Sequence, residues 1–253
     1  MTDAERPLLG KRALVTGAGK RLGRAIAVAL GRAGAHVAVH YRSSLAEAEE
    51  TCALIRAAGG EASSLAADLA DRDACRALAD RAVAALGGLD LVVPSAANFE
   101  RVAYDQIDDD AWDRSLSLDL GSPFALVHRA TPALRAARGS VVFITCASTT
   151  APFRNHLPYV VAKGALAHLM RTLALELAPD VRVNAVAPGT VLPPESMSSG
   201  ALASLVRQIP LGHHGNPEDI ASAVLYLASA PFVTGQEITV DGGRHLSKAE
   251  LSP

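Results

Sequence analysis

Two rhythms of apolar and polar positions run along this chain. Short, almost continuously apolar runs such as ALVTG, VAVHY, LDLVV and SVVFIT are separated by longer stretches in which apolar residues return every three or four positions. An unbroken apolar run suits a strand covered on both faces, as in a parallel sheet. Seven strands are predicted, at Arg12 to Thr16, Val37 to Tyr41, Ala62 to Ala67, Leu89 to Val93, Val141 to Cys146, Val181 to Ala187 and Glu237 to Val240. Leu22, Ile26, Ala29, Leu30 and Ala33 keep helical spacing, as do Leu166, Leu169, Leu173 and Leu177. Strand and helix alternate without a linker or repeat, so residues 1–253 are expected to form one doubly wound α/β domain, about seven parallel strands with helices on both faces. The least regular stretch, Leu192 to Gly200, reads either as a lid or as an ordinary loop.

Composition narrows the function classes. With 49% hydrophobic and 20% charged residues the chain has material for a large core and too little charge for a disordered one. The net charge is −2 and the basic residues do not cluster, so no nucleic-acid partner is expected. No 18-residue apolar run or leader-like segment occurs, which predicts a cytoplasmic protein with no membrane partner. Cys52, Cys75 and Cys146 are far apart and read as free thiols, and His213-His214 lack companion ligands, so no metal is expected.

Chemistry is concentrated in three places. The first strand runs into Thr16-Gly17-Ala18-Gly19-Lys20-Arg21-Leu22-Gly23 and then a helix. Glycines there allow the backbone to approach a pyrophosphate, with amide groups of the helix start facing it; the plainer reading is a tight turn. The second strand ends in His40-Tyr41-Arg42-Ser43, with no carboxylate before Glu47. An acid at this place binds the free ribose hydroxyls of NADH, whereas a guanidinium and a hydroxyl suit the 2′-phosphate of NADPH. The third place is Tyr159-Val160-Val161-Ala162-Lys163, which sets a phenol and an ammonium on one helix face. A nearby cation favours phenolate and brings proton transfer within reach, although such a pair is also an ordinary surface feature of helices.

Taken in order, TGxxxxxG, YVVAK, NAVAPG and DGG resemble the short-chain dehydrogenase/reductases over nearly the whole chain. TGAGKRLG, HYRSS, Phe99, PGTVLPPE and DGGRHL further resemble the pteridine and dihydromonapterin reductase branch. The resemblance implies a Rossmann fold, a homotetramer, NADPH, Tyr159 as proton donor, and Lys163 holding the ribose and lowering the phenol's pKa. It places cofactor contacts at Gly17, Gly19, Lys20, Arg21, Leu22, Gly23, His40, Tyr41, Arg42, Ser43, Asp68, Leu69, Ser95, Ala96, Tyr159, Lys163, Pro188, Gly189 and Val191. Substrate contacts fall to Arg21, Ala97, Phe99 and Tyr159.

Three departures from the family pattern are visible. Cys146 stands where the family has serine, or aspartate in pteridine reductases; Ser148 is expected to face the same side, if the strand stays extended, and to substitute for it. Asp119 replaces the family's asparagine and is expected to pair with Lys163, while Pro94 to Phe99 replaces NNAG. The leading expectation is hydride transfer from NADPH to a small pterin-like substrate. Reduction of a carbonyl or 3-oxoacyl thioester, and a weakly active nucleotide-binding regulator, are the alternatives.

Overall fold

A computed structural model describes residues 6–193 and 197–247. Seven strands form one parallel sheet in the order β3-β2-β1-β4-β5-β6-β7: β1 (Arg12–Val15), β2 (His36–Tyr41), β3 (Glu61–Ala66), β4 (Leu91–Val93), β5 (Ser140–Ile144), β6 (Arg182–Pro188) and β7 (Glu237–Val240). The helices are α1 (Arg21–Arg32), α2 (Leu45–Ala57), α3 (Arg72–Leu86), α4 (Asp109–Leu116), α5 (Ser122–Ala137), α6 (Leu157–Glu176), α7 (Ser199–Val206) and α8 (Pro217–Ser229). This is a doubly wound Rossmann-like architecture.

The unbroken apolar strands have the reason their pattern suggested. Successive side chains leave a strand on opposite faces, so Ala13 and Val15 join one core with α1, α2 and α8 while Leu14 joins a second with α3, α5 and α6. In β5, Val142 and Ile144 face the first core, Val141 and Phe143 the second. The strands predicted from the sequence are all present, with ends moved by one or two residues; β5 stops at Ile144, ahead of Cys146.

Because every strand is parallel, the turns leaving β1, β4, β5 and β6 lie at one edge of the sheet. The order reverses between β1 and β4, which leaves a crevice there. Thr16 closes its floor: its Oγ1 accepts the amides of Ser95 at 2.9 Å and Ala96 at 3.0 Å. Of the irregular stretch Leu192 to Gly200, residues 194–196 lie outside the described residues, and α7 begins at Ser199 with Ser198 as its cap. Among the described residues no helix is long and apolar enough to cross a membrane, and no cluster of His, Cys, Asp or Glu is suited to hold a metal.

Candidate active site

The β1–α1 turn is shaped for an anion. Gly17 has φ +64°, and a Cβ there would stand 3.0 Å from the Ala96 backbone; at Gly23 it would meet the Gly17 carbonyl. The first turn of α1 contains no acid and its cap residue, Lys20, makes no side-chain bond to it, so the leading amides face outward unpaired by the cap. Arg24 and Thr51 fix the loop from behind: Arg24 donates two hydrogen bonds to the Gly19 carbonyl, at 3.0 and 2.8 Å, and Thr51 a third at 3.2 Å. Gly189, at the end of β6, is packed too closely for any side chain, since a Cβ would stand 2.3 Å from that of Asp241. Leu22 is half-buried against the first core, and Val191 is buried in it. Pro188 is half-buried at the strand's end. Arg42 and Ser43 are exposed just beyond β2, Tyr41 is half-buried, and Asp68 is exposed after β3 with its carboxylate accepting the Ala70 amide at 3.0 Å.

Across the crevice stand the phenol and ammonium. Tyr159 lies in the first turn of α6 and Lys163 one turn later, 7% and 2% exposed. The Lys163 Nζ donates to the Ile144 carbonyl at 3.0 Å and lies 3.6 Å from Oδ1 of Asp119, which is wholly buried. Asp119 belongs to a single wide π turn, Ser117–Gly121, between α4 and α5, and the Asn98 amide donates to its carboxylate at 3.2 Å. The Cys146 thiol is among the groups that act on the Tyr159 hydroxyl.

An aromatic wall leads out from Tyr159. Phe99 is 60% exposed, which rules out the core role open to it on residue type. Its ring meets Tyr159 edge-on, with centroids 4.9 Å apart, and stacks on His156 at 4.3 Å; Phe153 stands edge-on to both Phe99 and His156. His156 is held by the Glu100 carbonyl, 2.8 Å from its Nδ1.

Residues 17–245 match the family model described as enoyl-(acyl carrier protein) reductase, adh_short_C2. The chain belongs to the short-chain dehydrogenase/reductases. It is an oxidoreductase whose site takes a nicotinamide cofactor and a small-molecule substrate. Among relatives, the 3-oxoacyl-[acyl-carrier-protein] reductase of Staphylococcus aureus is 33% identical over 93% of this chain and 98% of its own. A short-chain dehydrogenase of Burkholderia cenocepacia, solved in complex with NADP, superposes with a TM-score of 0.88 at 31% identity, covering 94% of this chain and 99% of its own. A 7α-hydroxysteroid dehydrogenase complexed with NADH and 7-oxo glycochenodeoxycholic acid superposes at 0.90 with 30% identity, covering 96% and 98%.

For this short-chain dehydrogenase/reductase, three readings from sequence are corrected. His40 is not open to a cofactor: it is buried, its Nδ1 accepts the Gly17 amide at 3.0 Å, and its Nε2 lies 3.1 Å from the Ala67 carbonyl. Burial holds it neutral, with a pKa lowered to about 4, and it acts as a bracket behind the glycine turn. The Leu69 side chain is buried in the second core and its carbonyl accepts from Cys75 and Ser122, which leaves its amide as the group it could offer a cofactor. Ser148 does not continue an extended face beyond Cys146: Ala147–Thr149 form one 3₁₀ turn, the Ser148 amide donates to the Cys146 sulfur at 3.4 Å, and its hydroxyl is buried without a partner. The phenol's pKa is not lowered. Burial, then the Cys146 thiol and Asp119, push Tyr159 well above its ordinary value.

The neighbouring charges shift for the same reason. Burial pushes Lys163 down, against the pull of Asp119, and pushes Asp119 up, against that of Lys163. The expected pairing of Asp119 with Lys163 is present. Arg21 takes φ +54° at the family's middle glycine, and its guanidinium donates to the Leu192 carbonyl at 3.3 Å, reaching across to the loop after β6. Ser95 and Ala96 line the crevice floor, and Ala97 is exposed beside Phe99.

Sequence reasoning gave Thr16 no part beyond opening the glycine turn, and it missed Arg24, Phe153 and His156. A signal existed for the last two, aromatic rings six and three residues before Tyr159.

Proposed function

We infer that this chain is an NADPH-dependent reductase that delivers a hydride and a proton across a C=N or C=O bond of a planar, pterin-like ring. Support comes first from the exposed face of Phe99, edge-on to Tyr159 at 4.9 Å, which offers a stacking surface beside the candidate proton donor. Arg42 and Ser43, exposed after β2, are the groups we assign to the 2′-phosphate; Gly17, Gly19 and the start of α1 would hold the pyrophosphate.

When bound, the dihydronicotinamide supplies two electrons and a hydrogen as hydride. The chain's residues do the rest: Tyr159 gives its hydroxyl proton to the substrate heteroatom and is reprotonated from solvent, Lys163 orients the ribose, and Cys146 beside the phenol helps to keep it protonated. Phe99 and Ala97 bound the substrate, with the Arg21 guanidinium at the ring's polar edge. We assign the chain to the cytoplasm, as one domain and as a homotetramer, for which the exposed apolar residues Phe124, Leu157 and Val161 on α5 and α6 offer surface.

A second reading, reduction of a 3-oxoacyl thioester, is favoured by the 33% identity to the S. aureus enzyme. The experiment that separates them measures NADPH oxidation with dihydrobiopterin, dihydromonapterin and dihydrofolate beside an acetoacetyl thioester, ketones and quinones. Pterin turnover, with binding seen by calorimetry, is expected. Turnover confined to the thioester, ketones or quinones overturns the pterin assignment.

A further inference from the structure

Behind the phenol two buried groups of opposite charge face each other. Lys163 Nζ has the Asp119 carboxylate 3.6 Å away and the Ile144 carbonyl at 3.0 Å, while the centroid of the Tyr159 ring lies 5.6 Å off. The carboxylate is held in place from the segment after β4, where the Asn98 amide lies 3.2 and 3.4 Å from its two oxygens, and the buried Ser115 of α4 stands near it. From the turn after β5, the Cys146 thiol faces both Tyr159 and Lys163. These are the titratable and polar groups that meet at the pair.

Whether the shared proton sits on Nζ or on the carboxyl, the Asp119–Lys163 pair is electrically neutral. The phenol beside it therefore meets no net positive charge. An amide at position 119 would keep the same size and leave the ammonium uncancelled. We propose that Asp119 is a positioning residue that cancels the charge of Lys163 at Tyr159, so that the phenol keeps its proton and the site is poised to reduce rather than to oxidise. This rests on the reading of Tyr159 as proton donor. The wide π turn is what carries the carboxylate to this depth, since Asp119 is the buried residue of that turn.

The test is an ultraviolet titration of tyrosinate in the whole protein from pH 8 to about 11, for the native chain and Asp119→Asn, each with and without Tyr159→Phe. The ordinary phenol titrates near 10, and an uncancelled cation close by lowers that by about one unit or more. The expected result is one tyrosinate gained in Asp119→Asn at least about one pH unit below its place in the native chain, and lost again in the double variant. NADPH oxidation by Asp119→Asn should fall away at correspondingly lower pH. A phenol that titrates unchanged, or stays silent to the same limit, overturns the proposal. If Asp119→Asn does not fold, Asp119→Ser is read in the same way. Near-normal turnover in Tyr159→Phe would instead remove the donor assignment, an outcome that the titration does not produce.

Discussion

Replacing Tyr159 by phenylalanine removes one oxygen from a ring that is 7% exposed, and the ring's packing against Phe99 survives. Binding and chemistry should therefore part: Tyr159→Phe is expected to bind NADPH as the native chain does while turnover drops about a hundredfold or more, the usual scale of general acid catalysis. Fluorescence titration beside single-turnover kinetics checks both halves. Arg42 is expected to act on binding alone. Its guanidinium is exposed after β2, so Arg42→Ala should cost NADPH roughly tenfold in affinity, about 1.4 kcal/mol, and leave NADH affinity in place. Equal losses for both cofactors would show that the charge is not directed at a 2′-phosphate. Both residues were legible in the sequence because each follows a strong structural signal, Arg42 a strand end and Tyr159 a helix start. The burial that pushes the phenol's pKa upward was not legible, since it depends on what packs around the ring.

Elements explain where reading by pattern succeeds and where it stops. Parallel strands covered on both faces announce themselves as apolar runs, and all seven appear within one or two residues of their predicted ends. Ser148 was misplaced because strand alternation was carried past Ile144, where β5 ends and a 3₁₀ turn begins. Nor does helical spacing reveal the wide turn at Ser117–Gly121, because a single turn of five residues is too short to show a period of its own. The glycine turn makes a sharper prediction. Gly17→Ala places a side chain at φ +64° and 3.0 Å from Ala96, so it should destabilise the protein by about 1–2 kcal/mol and also weaken NADPH binding by moving the loop. Chemical denaturation with a parallel cofactor titration measures the two losses; an unchanged midpoint would mean that the turn yields freely.

At the scale of the whole molecule, His40 couples the fold to acidity. Its pKa is about 4 in the fold and 6.5 ordinarily, so below 6.5 the unfolded chain takes up a proton that the native chain refuses. The stability it contributes is complete above pH 6.5 and is lost as the pH falls toward 4, by about 3 kcal/mol in all. Urea midpoints at pH 7.5 and 4.5 should differ in the native chain, and the difference should shrink in His40→Asn. This residue read as a cofactor contact in the sequence; a histidine at a strand's end gives no sign of the two backbone groups that enclose it.

Arg21 joins parts of the chain that are 171 residues apart, by one hydrogen bond from the β1–α1 turn to the Leu192 carbonyl. That bond ties the turn assigned to the pyrophosphate to the loop after β6, so cutting it is expected to let a bound nucleotide leave faster. On that expectation cofactor exchange has a time of its own, separate from hydride transfer. Arg21→Gly should relax the left-handed backbone, gaining about 1 kcal/mol in stability, and stopped-flow should find NADP⁺ leaving roughly tenfold faster. An unchanged release rate would mean that the nucleotide leaves without regard to this bond; a faster one would make Arg21 the residue that sets how long each spent nucleotide stays.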